Sequence, residues 1–173
     1  MDSSASDAPE RIQAPSIRRR VAALIYEALL ILALLLIAGF PLAGLKGAAL
    51  QGVPRLLAQV YFLCVAATYF TWFWRRGGQT LAMKTWRVRV TSASGQPLTF
   101  SRAVARFGCA LLFFGPAIAG LLLLFFPNRI SPVIALWAFL PMLATILWAR
   151  FDADHQFLHD RMSGTRLVSV ASS

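Results

Sequence analysis

The sequence predicts an all-α integral membrane protein: a bundle of four transmembrane helices with both termini in the cytoplasm and a basic interfacial loop between the second and third helices. Three observations predict this fold. The composition is 58% hydrophobic and only 14% charged, whereas a soluble domain carries about 25% charged residues. Four apolar runs reach or approach the roughly 20 residues that a helix needs to cross a bilayer. The net charge of +10 is concentrated at the ends of these runs, as the topology of membrane proteins requires.

The first and most apolar run covers residues 21–40, and Glu27 is its only charge. In lipid such a segment must be an α-helix, because its backbone groups find hydrogen-bond partners only within the segment itself. Three consecutive arginines, residues 18–20, precede the run and resist transfer across the bilayer. Residues 1–17 show no hydrophobic periodicity, which predicts a disordered N-terminal tail. We therefore expect the first helix to start on the cytoplasmic side.

The second run, residues 56–74, has no charge and ends in aromatic residues typical of a membrane interface. The segment that follows, residues 75–106, contains seven Lys and Arg residues and no acid. Within it, residues 80–90 predict a short interfacial helix and then a strand in which apolar and basic side chains alternate. A Ser-Gly-Gln-Pro turn follows at residues 94–97. This segment is the predicted basic loop on the inner membrane surface.

The last two apolar runs cover residues 104–126 and 133–149. Gly115-Pro116 predicts a kink in the third helix, because proline removes a backbone donor and disturbs the preceding turn. Pro141 lies inside the fourth run. After the fourth run, the chain is expected to leave the membrane as a polar tail.

These runs define a membrane domain over residues 18–168, followed by a short C-terminal tail, residues 169–173. With the N-terminus inside, fourteen Lys and Arg residues fall on the cytoplasmic side and three on the other side. This asymmetry supports the predicted topology. A strongly basic chain can also indicate nucleic-acid binding, but here the cations flank apolar runs. The predicted partners are therefore anionic lipid headgroups, and no nucleic acid.

Three motifs carry a resemblance to a known family. They are, in chain order, Arg20-Val-Ala-Ala-Leu-Ile-Tyr-Glu27; Gly78-Gln-Thr-Leu-Ala-Met-Lys84 with Trp86-Arg-Val-Arg-Val90 and Gly95-Gln-Pro-Leu98; and Leu158-His-Asp-Arg-Met-Ser-Gly-Thr-Arg166. Together they resemble the RDD family of bacterial multi-pass membrane proteins, which is named for one arginine and two aspartates. The motifs resemble those of the family in their order along the chain, over roughly residues 15–170.

The resemblance implies a role for three residues. Arg20 matches the arginine that opens the first helix, and Asp160 matches the second aspartate, in the C-terminal motif. Glu27 stands where the family has its first aspartate; glutamate keeps the charge but adds a methylene group. The resemblance also implies a location in the bacterial inner membrane, and a transport role has been suspected for the family.

A carboxylate within a spanning helix must pair with a cation, be protonated or reach water. Glu27 lies about 10 Å along the helix axis from Arg20, hence inside the cytoplasmic half of the bilayer. We predict that Glu27 and the Asp160 segment form one polar cluster at the cytoplasmic mouth of the bundle. The supporting residues are expected to be Arg102, Arg106, His159 and Arg161. In the alternative interpretation, Arg20 extends to lipid phosphates and Glu27 only stabilises helix packing.

The sequence contains no motif for nucleophilic catalysis or for nucleotide binding, which predicts that the protein is not an enzyme. His155 and His159 are four residues apart, as two ligands on one helix face would be. They are the only histidines, however, and no third ligand has a suitable spacing. We therefore expect no metal site and no cofactor.

Two functions from different classes remain. In the first, the protein moves an ion or a small solute, with Glu27 as the titratable group, and assembles as a homo-oligomer because four helices are few for a pathway. In the second, it is a scaffold or accessory protein that binds partners at the inner membrane surface through its basic loop and its C-terminal tail. Substitution of Glu27 should distinguish them, because only transport depends on the carboxylate.

Overall fold

The computed structural model describes residues 14–44, 53–124, 131–153 and 156–170. It is mostly helical and confirms the four predicted spanning segments, because four helices are long and apolar enough to cross a membrane. These helices cover Ile17–Leu42, Pro54–Gly77, Phe100–Leu121 and Val133–Phe151. Most of the predicted N-terminal tail lies outside the described residues, and its last residue, Ile17, is already helical.

The first two helices, α1 (Ile17–Gly39) and α2 (Val53–Gly77), begin a few residues before the predicted spans. The Ser16 side chain caps α1 by accepting a hydrogen bond from the Arg19 backbone N–H at 3.5 Å. The arginines that precede the apolar run are good helix formers, so the helix extends through them. α1 then continues into a 3₁₀ turn, Phe40–Leu42.

The basic loop contains a short helix, α3 (Leu81–Thr85), and a strand, β1 (Val88–Ser92), which confirms both predicted elements. β1 pairs antiparallel with β2 (Thr165–Ser169), so that Val90 lies opposite Leu167. The prediction of a polar C-terminal tail missed this second strand, and Ser169 belongs to β2 rather than to a tail. Val88 and Val90 are buried on the inner face of the sheet.

The third helix, α4 (Phe100–Leu124), starts before the predicted span because Thr99 caps it. α4 continues through Pro116, and the last two residues of the predicted span lie outside the described residues. The fourth span is divided into α5 (Pro132–Trp137) and α6 (Leu140–Phe151). Pro141 explains the division, since it has no N–H to continue the helical bonding from α5.

A short helix, α7 (Leu158–Met162), follows α6 and leads into β2. The buried apolar cluster lies at one end of the bundle, where the C-terminal ends of α2 and α6 and the N-terminal part of α4 meet the sheet. Its members are Trp74, Val88, Val90, Leu98, Ala103, Ala149, Phe157 and Leu167. We call this region the polar end, because the buried charged side chains described below lie in it. Away from it, large apolar side chains such as Ile37 and Leu112 are exposed, as expected for helices that face lipid.

Replacing Gly78 with Ala is expected to lower the free energy of unfolding by about 1–3 kcal/mol. Gly78 has a φ of +68°, and a Cβ atom there would lie 2.5 Å from the Val90 carbonyl oxygen. Gly77 is the matched control, because a Cβ at that position meets no atom within 4 Å. Thermal unfolding in detergent should give a lower Tm for Gly78→Ala and little change for Gly77→Ala. Equal midpoints for the two variants would contradict this account of the turn.

Candidate functional site

Asp160 is the centre of a buried ion pair at the polar end. Its side chain, on α7, is 0% exposed, and Arg106 of α4 is 3% exposed. Arg106 Nη1 donates hydrogen bonds to Asp160 Oδ1 and to Thr165 Oγ1. The distance between Arg106 Nη1 and Thr165 Oγ1 is 2.6 Å. The Arg106 guanidinium lies 4.9 Å from the centre of the Trp74 ring. The ion pair therefore ties α4 to the C-terminal segment of the chain.

The turn after α7 holds Asp160 in place. Ser163 Oγ donates to the backbone carbonyls of His159 and Asp160, at 2.9 and 3.0 Å. The Ser163 and Thr165 hydroxyls are 2.9 Å apart. Gly164, between them, has a φ of +62°, which glycine adopts without strain. We call Asp160, Arg106, His159, Ser163 and Thr165 the Asp160 network.

His159 contributes a neutral ring to this network. Its Nε2 lies 3.2 Å from Asp160 Oδ1, and the ring stacks on Phe157 with centroids 5.6 Å apart. Burial lowers the pKa of His159 to about 4; the Asp160 carboxylate opposes this shift, and the Arg106 guanidinium adds to it. The imidazole is therefore uncharged at neutral pH and packs largely as an aromatic ring.

Because the pKa of His159 is lower in the folded protein than in the unfolded chain, the unfolded state takes up a proton first as the pH falls. The stability that the neutral ring provides is complete above pH 6.5 and is lost between pH 6.5 and about 4. With 1.36 kcal/mol for each pKa unit, the full loss is about 3 kcal/mol. Thermal unfolding is measured at pH values from about 7.5 to about 5, which cover most of this range. The Tm should fall more steeply with pH for the wild type than for His159→Gln. Parallel pH profiles would contradict this role.

Arg20 also belongs to the polar end. It is 1% exposed, and its Nε donates to the Pro15 carbonyl at 2.9 Å. Its guanidinium lies 5.7 Å from the centre of the Phe157 ring and is attracted electrostatically by the carboxylates of Asp160 and Asp152. The side chain therefore turns into the protein, which contradicts the alternative that it extends to lipid phosphates.

Two of the predicted supporting residues have other positions. Arg161 is half exposed and pairs with Asp152 at 2.7 Å. The second carboxylate oxygen of Asp152 accepts the Gln156 backbone N–H at 3.0 Å. Arg102 is exposed on α4, and it does not join the Asp160 network. Of the four predicted supporting residues, Arg106 and His159 are thus the two that contact Asp160.

Glu27 forms a second site, between α1, α2 and α3. It is 7% exposed, and its Oε2 accepts a hydrogen bond from Thr80 Oγ1. Thr80 is also the N-cap of α3, because its Oγ1 accepts the Met83 backbone N–H at 3.2 Å. The Tyr69 hydroxyl neighbours the same carboxylate and the Leu81 backbone, although it does not reach the geometry of a formed hydrogen bond. We call Glu27, Thr80 and Tyr69 the Glu27 site.

No basic side chain lies within 4 Å of Glu27 in the part of the chain that the structure describes. Its Oε1 is buried and has no hydrogen-bond partner there. No hydrogen bond or ion pair among the described residues joins Glu27 to Asp160. Arg20 is thus attracted by Asp160, whereas Glu27 is hydrogen-bonded to Thr80. The predicted contact between Glu27 and the Asp160 segment is not seen among the described residues.

Sequence reasoning missed Thr80, Tyr69, Ser163 and Thr165 as members of these sites. Thr80 carried a usable signal, because it directly precedes an apolar helix, where a capping hydroxyl is expected. Ser163 and Thr165 stand inside the C-terminal motif, but nothing local indicates that they contact Arg106. Of the two histidines considered as metal ligands, His155 lies outside the described residues. The described residues contain no group of three or more His, Cys, Asp or Glu side chains suited to a metal ion.

The fold and the two buried sites define a helical membrane protein whose first, third and C-terminal segments meet through charged side chains at one end. The sequence model of the RDD family matches residues 14–164, which is most of the chain. The protein therefore belongs to the RDD family, a family of membrane proteins. Comparison with curated protein sequences gives no match, and comparison with solved structures gives none either.

Proposed function

We propose that this RDD protein binds a monovalent cation, a proton in the simplest case, at Glu27 and moves it across the membrane. The observation that carries the proposal is a buried carboxylate within a spanning helix that has no basic side chain within 4 Å among the described residues. A carboxylate in that position is costly unless it binds a cation or a proton, and such groups mark ion pathways in membrane proteins.

The surroundings of Glu27 suit a small hard cation. One carboxylate oxygen is held by Thr80, and the other, Oε1, is buried without a hydrogen-bond partner in the described part of the chain. The Tyr69 hydroxyl lies beside the same carboxylate. Hard cations prefer oxygen ligands, and the carboxylate and the Tyr69 hydroxyl are of this kind. The site can therefore alternate between a protonated and a cation-bound carboxylate without bringing in another charge.

We propose that the polar end faces the cytoplasm, in the inner membrane. The three acids among the described residues, Glu27, Asp152 and Asp160, are all buried. The exposed charges at this end are therefore positive: Arg18, Arg19, Arg75, Arg76, Lys84, Arg87, Arg89, Arg102, Arg150 and Arg161. Cytoplasmic segments carry such an excess of basic residues. We also propose that a homo-oligomer forms the pathway, because four helices in one chain are few for it.

A cation that binds only the folded protein raises its Tm in proportion to the logarithm of its concentration above Kd. The purified protein is titrated with sodium chloride at constant ionic strength, with choline as the replacement cation. A second titration lowers the pH but remains above about pH 7, where His159 stays neutral. We expect one of the two cations to raise the Tm of the wild type and to leave the Tm of Glu27→Gln unchanged.

Glu27→Asp is the matched control, because it keeps the carboxylate and introduces the residue type that the family name records at this position. We expect Glu27→Asp to retain the response to the cation, with a weaker affinity. If Glu27→Gln responds to both cations as the wild type does, the carboxylate is not the binding group and the proposal fails.

One observation favours the scaffold function as a second candidate. The exposed charge at the polar end is uniformly positive among the described residues. It includes Arg87, directly before β1, and Arg89, within β1. Such a surface fits an acidic segment of another membrane protein as well as it fits lipid. If this function is correct, Arg87→Gln with Arg89→Gln should abolish co-purification of that partner, whereas Glu27→Gln should retain it.

A further inference from the structure

We propose that an anionic phospholipid of the bilayer binds in a groove between α1 and α2, with its phosphate at Arg76. The groove has a volume of about 470 Å³ and an apolar lining. One face of α2, from Tyr61 through Val65 and Thr68 to Trp72, forms one wall, and Leu34 of α1 contributes to the other. We call it the lateral groove. It is open along one side, so that an acyl chain could enter it directly from the bilayer.

The length of the lateral groove matches one leaflet. Tyr61 and Trp72 are separated by eleven residues of helix, which is about 16 Å at a rise of 1.5 Å per residue. The hydrocarbon core of a bilayer is about 30 Å thick, so a single leaflet contributes about half of it. An acyl chain extends over this distance, whereas a helix from a second copy would cross both leaflets and continue beyond the groove.

A positive charge, that of Arg76, lies at one end of the lateral groove. The Arg76 guanidinium lies 4.3 Å from the centre of the Trp72 ring, and Trp72 lines the groove. Arg76 is exposed in the last turn of α2, next to the end of the spanning helix. The neighbouring Arg75 turns instead toward Phe100 of α4, at 5.5 Å. Arg76 therefore lies where a lipid phosphate would be when the acyl chain occupies the groove.

The acids do not compete for Arg76. Glu27, Asp152 and Asp160 are the acids among the described residues, and all three are buried away from the surface. Arginine binds phosphate through two parallel N–H donors, and stacking on Trp72 leaves the edge of its guanidinium available for this contact. The complementary ligand is a lipid with a net negative headgroup rather than a zwitterionic one.

The test uses the full chain in vesicles of phosphatidylcholine that contain an equal fraction of either brominated phosphatidylglycerol or brominated phosphatidylcholine. Bromine on the acyl chain quenches the fluorescence of nearby tryptophans. The quenching of Trp72 is obtained by subtracting the quenching measured in the Trp72→Phe variant of each protein. We expect brominated phosphatidylglycerol to quench Trp72 more strongly. Arg76→Gln should reduce this preference by about fivefold, the equivalent of about 1 kcal/mol for one basic residue near anionic lipid.

Arg150→Gln is the matched control, because Arg150 is an exposed arginine in the last turn of another spanning helix. It should leave the preference of Trp72 unchanged. Val65→Phe, which fills the lateral groove, should reduce quenching by both lipids. Equal quenching by the two lipids in the wild type, or equal effects of Arg76→Gln and Arg150→Gln, would overturn the proposal in favour of a diffuse surface charge. Undiminished quenching in Val65→Phe would also overturn it.

Discussion

Asp160→Ala is expected to lower the free energy of unfolding by about 3–5 kcal/mol, because it leaves a buried guanidinium without its carboxylate. Asp160 is 0% exposed and Arg106 is 3% exposed, so water cannot replace the lost partner. Trp74, which lies under the guanidinium, compensates for only part of the loss. Because the free energy of unfolding of native proteins is only about 5–15 kcal/mol, a loss of this size should leave much less folded protein at about 37 °C.

The same argument predicts a recovery when both charges are removed. Arg106→Met alone should be as damaging as Asp160→Ala, because each variant leaves one buried charge without its partner. Combined, Arg106→Met and Asp160→Leu leave no unpaired charge and introduce apolar side chains of similar volume, so stability should return to within about 1–2 kcal/mol of the wild type. The measurement is a double-mutant cycle of unfolding in detergent micelles.

The control for this cycle is Arg102→Gln, which removes an exposed arginine one helical turn before Arg106 on α4. It should change the free energy of unfolding by no more than about 0.5 kcal/mol. Asp160→Ala within about 1 kcal/mol of the wild type would contradict a stabilising ion pair, since that is the range of exposed pairs. Additive effects in the double variant would contradict a direct interaction between Arg106 and Asp160.

Length and hydropathy were sufficient to predict the four spanning helices, because a bilayer imposes both quantities on any segment that crosses it. The boundaries were less accurate, since helices continue into polar residues beyond the apolar run. α1 begins at Ile17 and includes the arginines that were assigned to its flank. The fourth span shows the opposite error, because Pro141 divides a run that is continuous in hydropathy.

Pairings between distant segments could not be predicted from local patterns. The sequence analysis found β1, in which apolar side chains alternate with polar or basic ones. It missed β2, in which Leu167 and Val168 break the alternation and which lies in a segment that was assigned to a tail. The partner of a strand depends on how the intervening helices fold, and Val90 and Leu167 are brought together only by that fold. The same limit applies to Arg106 and Asp160, which are 54 residues apart in the sequence.

The position of Glu27 illustrates what helical periodicity establishes and what it omits. The spacing from Arg20 gave the depth of Glu27 along α1, and the structure keeps it buried on that helix. Periodicity does not indicate which loop folds against the carboxylate, so the expected partners were arginines. The partner is Thr80, a neutral residue whose hydroxyl also caps α3. The absence of a basic side chain within 4 Å, among the described residues, is the observation from which we propose an exchangeable ion at this site.

Glu27→Gln is expected to reduce cation flux to the level of protein-free vesicles. Glutamine has nearly the same shape, and its amide can still accept the hydrogen bond from Thr80, so the packing of α3 against α1 is retained. It cannot, however, carry a charge or release a proton. A complete loss of flux with unchanged folding therefore separates a transport role of the carboxylate from a packing role. Glu27→Asp should keep part of the flux, because the carboxylate remains.

The most direct measurement is the movement of protons and sodium into vesicles of phosphatidylcholine and phosphatidylglycerol that contain the purified protein, with the wild type beside Glu27→Gln and Glu27→Asp. An enclosed pH-sensitive dye follows protons, and a radioactive tracer follows sodium. We expect flux of one of these cations in the wild type, partial flux in Glu27→Asp and background flux in Glu27→Gln. Equal flux in the wild type and Glu27→Gln, or no flux of either cation in the wild type, would contradict a cation-transporting carboxylate at Glu27.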